Sequence, residues 1–227
     1  ATRAGGAGTF GTGIADGAGT FDFARVAGTS GAVTVATTTA INDLTLTQAA
    51  SNTFTGNVTV NDLITTANSG TITLNGAANT FAAAVAFLNT GLVTLGDAGT
   101  DSSTFAGGVA FTGNGASALQ GAFVTTNTLA DFGTGGVTLG ADTTITTGAG
   151  AGDIAFGAGI TGAFDLGLDA GTGAVTVATT TNITDLTLTR PASNTFTGNV
   201  TVNDLITTAN SGTITLNGAA NTFAAAV

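Results

Sequence analysis

The side chains available for chemistry in this chain are few, because its 227 residues include no His, Cys, Met, Trp or Tyr. All thirteen acids are Asp and the three bases are Arg3, Arg25 and Arg190, so Lys and Glu are missing as well. There is no imidazole base, no thiolate, no Schiff-base amine and no phenol, which removes most enzyme mechanisms. What remains is oxygen chemistry. Asp97 and Asp101, with Ser102 and Ser103 beside them, could offer ligands to a hard cation such as Ca²⁺, and Asp165 with Asp169 has the same spacing. Neither pair follows the EF-hand or the glycine-rich nonapeptide pattern. Two carboxylates could also serve glycoside hydrolysis, but the sugar-stacking Tyr and Trp are absent. Gly6, Gly8 and Gly11 satisfy the dinucleotide fingerprint formally; with 36 Gly such a match arises by chance, and no helix pattern follows it. The expectation is a non-enzymatic chain with no cofactor, calcium being the one option left open.

The rest of the composition describes a scaffold. Only 7% of residues are charged and mean hydropathy is +0.44, so the chain should fold rather than stay disordered. A formal charge of -10 with a pI near 4.1 repels phosphate backbones, which argues against nucleic-acid partners. The longest strongly apolar run, 81–88, is too short to cross a bilayer as a helix, for which about 20 residues are needed. No secretory-signal pattern opens the chain and it does not begin with Met, so the sequence reads as a window onto something larger. Freedom from Cys suits an oxidising exterior. Arg25 and Arg190 read as surface charges, and the sequons at Asn57, Asn182 and Asn199 matter only in a glycosylating host.

Repeats organise the chain. Residues 31–85 recur at 173–227, an offset of 142, with four differences: Ala40 against Asn182, Asn42 against Thr184, Gln48 against Arg190, and Ala49 against Pro191. The expectation is one continuous segment, 1–227, of a longer tandem array with a 142-residue super-repeat. Inside it runs a shorter period. An Asn-Thr-Phe or Ser-Thr-Phe motif ends at Phe54, Phe81 and Phe105, at offsets of 27 and then 24. Aligned on that motif, the three Phe form one column, Val58, Val85 and Val109 a second, and Val60, Phe87 and Phe111 a third.

Short alternating runs lie between, at 71–74, 92–95, 137–139 and 144–146. They are rich in Val, Ile, Phe and Thr, which suit a half-buried pleated surface. Asn75-Gly76, Asn114-Gly115 and Asn217-Gly218 are expected to supply positive φ at corners. Helix has almost no support. About 20–27 residues per coil, with two or three short strands each, predict an all-β, parallel β-solenoid of about nine to eleven coils stacked about 4.8 Å apart, with Phe54, Phe81 and Phe105 in one internal stack.

The motif SNTFTGNVTVNDLITTANSGTITLNGAANTF, clearest over 51–89 and 193–225, resembles the passenger-associated repeats of bacterial autotransporters and related filamentous-haemagglutinin-like giant surface proteins. That resemblance implies a secreted, right-handed parallel β-helix on a bacterial cell surface.

In the aligned strands the outward positions change from Thr55, Asn57 and Thr59 to Ala82, Ala84 and Ala86, and then to Ala106, Gly108 and Ala110. A contiguous small-residue face of this kind is expected to be covered, and two such faces can approach closely. The functional expectation is therefore a structural segment of a fibre, sheath or surface layer that associates side by side with other copies of itself or with other parts of the same giant protein. The alternative is an adhesin stalk or binding face for a glycan or host surface. Ice binding through Thr-apolar-Thr triplets ranks lower, because in the motif alignment the same column changes from Thr to Ala.

Overall fold

A computed structural model of the chain describes residues 8–15, 22–26, 31–113 and 115–225. Among these the protein is all β: 23 strands and no helix, with every strand pairing parallel, stacked as a solenoid of about 10 turns. The alternation in sequence is the alternation in burial. Val58–Thr65 reads buried, exposed, buried along Val58, Thr59 and Val60, and then restarts at Leu63 after the polar corner Asn61-Asp62. Thr71–Leu74 buries Ile72 and Leu74 between two Thr.

Each turn has three sides, and three parallel ladders run along the solenoid. The first begins with Gly8–Phe10 and continues through Ala32–Val35, Ser51–Phe54, Thr71–Leu74 and Val93–Leu95. It then takes in 117–119, 137–139, 160–161, 179–183 and 200–202, ending at Thr222–Phe223. The second passes from Ile14–Ala15 through 58–60, Ala78–Phe81 and Ser102–Phe105 to 205–207. The third runs from Phe23–Val26 to Thr213–Leu216. In the third ladder the step from 63–65 to Val85–Phe87 is bridged by a side chain: the Thr65 hydroxyl donates to the Ala86 carbonyl and accepts from the Leu88 amide, both at 2.8 Å. The inward residues of all three ladders form one core cluster, from Val33 to Leu205.

The step between ladder partners is uneven, short from Val33 to Asn52 and long from Gly8 to Val33. Among the described residues none is as long as the step from Phe54 to Phe81, and that part of the motif alignment is wrong. Phe54 lies in the first ladder, where its partners are Val35 and Leu74, while Phe81 and Phe105 lie in the second and stack at 4.8 Å with planes 10° apart. Val58 is likewise in the second ladder, whereas Val85 and Val109 pair in the third. The longer aromatic stack is Phe87, Phe111, Phe132 and Phe156, with centroids 4.8, 5.3 and 4.6 Å apart.

The motif Asn has a structural task. The buried Asn79 accepts the Val58 amide at 3.0 Å and donates to the Gly76 carbonyl at 3.1 Å, tying one turn to the next just ahead of the Thr59–Thr80 register pair. Asn221 repeats both bonds with Val200 and Gly218. The Asn-Gly corners depart from expectation. Gly76 and Gly218 do not adopt positive φ; they are needed because a Cβ at either position would sit 2.6 Å from the Cα of Asn57 or Asn199 on the adjacent turn. Asn114 lies outside the described residues, but Gly115 likewise has no positive φ, and a Cβ there would sit 2.3 Å from the Gly91 carbonyl.

The duplicated segments share three strands but not all: the separate Ala32–Val35 and Thr38–Gln48 are one continuous strand, Ala174–Leu188, in the copy, and Ala78–Phe81 is shortened to Thr222–Phe223. Ser51–Phe54, Val58–Thr65 and Thr71–Leu74 reappear as Ser193–Phe196, Val200–Thr207 and Thr213–Leu216. Ser51 pairs with Thr71 as Ser193 pairs with Thr213.

Candidate functional site

The acidic pairs do not converge. Asp101 is buried, and its Oδ2 accepts the amides of Asp97 at 2.8 Å and Ala98 at 3.0 Å, so this carboxylate closes the loop that leads into Ser102–Phe105. Asp97 itself points into solvent. Asp165 and Asp169 stand at opposite ends of a second-ladder strand. The Asp165 carboxylate accepts the Asp185 amide at 3.3 Å, and Asp169 accepts Arg190 at 2.6 Å from Nη2 and 2.9 Å from Nε. The same pairing raises the Arg190 pKa, through the hydrogen bond first and the charge of Asp169 second. Among the described residues no three acids gather in a way that could hold a metal ion. Of the glycine fingerprint, Gly6 lies outside the described residues, and Gly8–Phe10 is a strand.

The acids form columns along corners instead. Asp142 Oδ1 accepts the Asp165 amide at 3.1 Å, Asp165 the Asp185 amide, and Asp185 is the register partner of Asp204. Another corner stacks Asp22, Asp43 and Asp62, bridged by Asn42 to Asp22 at 3.2 Å and Asn61 to Asp43 at 3.4 Å. Partial burial raises the Asp62 pKa, and the neighbouring Asp43 charge raises it further against an opposing backbone hydrogen bond.

The small-residue face is only partly as expected. Ala86 and Ala110 are register partners and face outward on the third ladder. Ala82, Ala84, Ala106 and Gly108 lie in the corners before those strands, with Ala82 and Ala84 exposed and Ala106 half-buried. Gly108 is a correction: it is buried, with φ +99°, and a Cβ there would meet the Leu129 carbonyl of the next turn at 2.9 Å. The face is also short, since Ala110 pairs with Asp131 on the following turn.

Sequence reasoning missed the larger apolar side chains around it. Leu129 joins Ala84, Ala86, Gly108 and Ala110 in lining one shallow depression, while Ile64 and Leu88 line its neighbour with Ala84 and Ala86. Ile64, Leu88 and Leu129 are 39%, 44% and 45% exposed. A local signal existed for Leu88, which follows Phe87 and breaks the two-residue alternation.

A second feature appears only once the ladders are known. Along the first ladder the outward register partners are Thr9, Thr34, Thr53, Thr73, Thr94, Ala118, Thr138, Thr161 and Thr181, and beyond a bulge Thr201 pairs with Thr222. None of the paired first-ladder positions is Asp or Arg, although the chain carries -10. Among these register partners the column departs from Thr only at Ala118, and the Thr59-to-Ala86 change of the motif alignment compares two different ladders. No helix among the described residues is long and apolar enough to cross a membrane. No protein-family model, curated protein or solved structure matches the chain, and what the coordinates share with the repeats named above is the parallel β-solenoid.

Proposed function

We propose that this chain is a non-enzymatic structural segment of a large, repetitive, secreted bacterial surface protein, and that it packs side by side with its own copies in a fibre, sheath or surface layer. The observation that carries the reading is the exposed apolar patch on the third ladder, where Ala84, Ala86 and Ala110 leave room between Ile64, Leu88 and Leu129. Large apolar side chains grouped around a shallow small-residue floor favour being covered, and a second β-surface fits such a floor closely. The secreted setting rests on the resemblance of the Asn-Thr-Phe repeats and on the Cys-free composition.

The test is Ala86→Asp. Ala86 is exposed on its strand, so the isolated fold tolerates the charge, while a covered interface would have to bury an unpaired carboxylate in the depression that Asp62 also lines, at a cost of several kcal/mol. The native chain should associate and the variant should not, with both giving the same far-UV circular dichroism. Association of the variant at native strength would refute this use of the face.

The threonine column favours a second reading, in which the uncharged first ladder binds an ordered surface such as ice. Its assay is ice recrystallisation by the native chain against Thr94→Tyr. No inhibition by the native chain removes this reading without touching the first.

A further inference from the structure

Three Asn-x-Thr sequons have no part in the assembly just described: Asn57-Val58-Thr59, Asn182-Ile183-Thr184 and Asn199-Val200-Thr201. The first and third are copies of one another, and the duplicate is rotated by one side of the solenoid. Asn57 precedes 58–60 on the second ladder and Asn199 precedes 200–202 on the first, just as Ser51–Phe54 of the first ladder recurs as Ser193–Phe196 on the third. Rotated or not, both Asn make the same bond. Asn57 Oδ1 accepts the Ala78 amide at 3.0 Å and Asn199 Oδ1 accepts the Ala220 amide at 3.1 Å, so each carboxamide ties its corner to the following turn.

The second sequon exists in one copy only. The earlier segment has Ala40 and Asn42 where the later one has Asn182 and Thr184, two of the four differences between them, and both changes are needed to make the motif. Its setting differs as well. Between Thr180 and Ile183 the strand Ala174–Leu188 carries one residue more than 200–202 beside it. At this bulge Asn182 takes φ +59°, a left-handed conformation in which Asn is enriched. A bulge re-aims the side chain it carries. Asn182 and Thr184 are both exposed, and they line one open depression of about 380 Å³ with Thr201, Asn203 and Thr222. Neither side chain makes a hydrogen bond among the described residues. All three sequon Asn are exposed; what sets Asn182 apart is a carboxamide with no bond to give up, on a residue the ladder does not hold.

We propose that Asn182 is an N-linked glycan attachment site of the folded chain, taking a sugar that a host glycosyltransferase delivers from its diphosphate ester. Asn182 Nδ2 forms the bond to the anomeric carbon of the sugar. The bond from that carbon to the phosphate oxygen breaks, the diphosphate leaves with the electron pair, and the amide proton passes to a base of the transferase. Thr184, two residues on, presents the hydroxyl that completes the acceptor motif. Asn57 and Asn199 are poor acceptors once folded, because each has to release the amide of the following turn before its carboxamide can enter an active site. Around Asn182 the depression leaves room for the first sugar ring, with Thr201 and Asn203 as partners for its hydroxyls. The site lies on the first ladder and the apolar patch around Ala86 on the third, so a sugar here does not compete with lateral association.

Two measurements test the assignment. Chain purified from its source is mapped by peptide mass spectrometry; a sugar mass on the peptide that holds Asn182 is expected, and a bare Asn182 overturns the proposal. Folded native chain is also incubated with UDP-glucose and a soluble transferase chosen because it glucosylates the free peptides 55–61 and 180–186, whose rates are those of the sequons without a fold. In the chain Asn182 should react at close to its peptide rate. Asn57 and Asn199 should react about ten-fold more slowly than the 55–61 peptide, the factor expected when one hydrogen bond has to be broken first. Asn182→Gln and Thr184→Ala should each abolish the fast reaction and Thr184→Ser should retain it, all three with unchanged far-UV circular dichroism. A folded chain in which Asn182 fails to react would overturn the site, and one in which all three Asn react at their peptide rates would overturn the selection by the fold. Neither outcome bears on self-association, which is measured separately and which Asn182→Gln should leave as it is.

Discussion

Coupling between the rings of Phe81 and Phe105 is the sharpest measure of the ladder register. Both are fully buried, and their rings stack at 4.8 Å with planes 10° apart, while Phe105 also meets the edge of Phe87 at 6.4 Å. Replacing either with Leu keeps most of the volume and removes the ring face, at a cost of about 1–2 kcal/mol. The stacked pair contributes about 0.5–1.5 kcal/mol beyond its burial, so a double-mutant cycle on Phe81→Leu and Phe105→Leu should return a coupling of that size. Phe54 is equally buried, but its ladder partners are Val35 and Leu74. A cycle on Phe54→Leu and Phe81→Leu should then be additive within about 0.5 kcal/mol. Urea unfolding followed by circular dichroism gives both cycles, provided the slopes match across variants. Equal coupling in the two cycles, or coupling only between Phe54 and Phe81, would refute the three-ladder register and restore a single column of rings.

Two glycines of one loop should respond oppositely to alanine. Gly133 has φ +64° and a Cβ there would lie 1.9 Å from the Phe111 carbonyl, so Gly133→Ala should destabilise by about 2 kcal/mol or more, whereas Gly136 has open space and Gly136→Ala should be neutral or stabilise by up to about 1 kcal/mol. Asp101→Ala removes the acceptor of the Asp97 and Ala98 amides and should cost about 1–3 kcal/mol in thermal or urea unfolding; an unchanged midpoint would show that the loop does not depend on this carboxylate. Asp62 has its folded pKa raised, by partial burial first and Asp43 second, so the native state holds this proton more tightly than the unfolded chain. Its contribution favours the fold below the ordinary value of 3.8 and is lost as pH rises through the raised one. Asp62→Asn should therefore flatten the fall in melting temperature over that window and stabilise the fold at neutral pH.

The strands were legible in the sequence because their signal is local. Val58, Val60, Leu63, Ile72 and Leu74 announce their burial within a few residues, and the structure buries all five. The ladders were not legible, because loops lengthen at some corners and tighten at others, so that Gly8 reaches its partner Val33 by a longer path than Val33 reaches Asn52. The candidate surface was read in outline: the outward Ala86 and Ala110 are found, but Gly108 is drawn inward where its backbone passes beneath Leu129. Ile64 follows the buried Leu63 as Leu88 follows Phe87, the same break in alternation, whereas the exposed Leu129 carries no sequence mark that separates it from core Leu. The threonine column could not be seen at all before the ladders were known, since its members are scattered along nearly the whole chain from Thr9 to Thr222.

The error in the motif alignment and the rotation of the duplicate have one cause. From Phe54 to Phe81 the chain advances one full turn, 54 to 74, and then one further side, 74 to 81, so the motif recurs after one and a third turns. From Phe81 to Phe105 it advances one turn and stays on its ladder. All three sides impose the same local demand: two inward apolar residues, an outward Thr or small residue between them, and a corner Asn or Gly that ties to the adjacent turn. A segment such as Ser-Asn-Thr-Phe meets that demand with one inward Phe and one buried, hydrogen-bonded Asn, and it is found on the first ladder at Ser51–Phe54 and on the third at Ser193–Phe196. Duplication of any length that ends at a corner can therefore be accommodated by parallel stacking, whole turns or not, because the strand that arrives finds an equivalent ladder edge waiting. The repeating unit in sequence is consequently one side of the solenoid and not one turn, and the surface a repeat presents is set by where its count of sides falls modulo three.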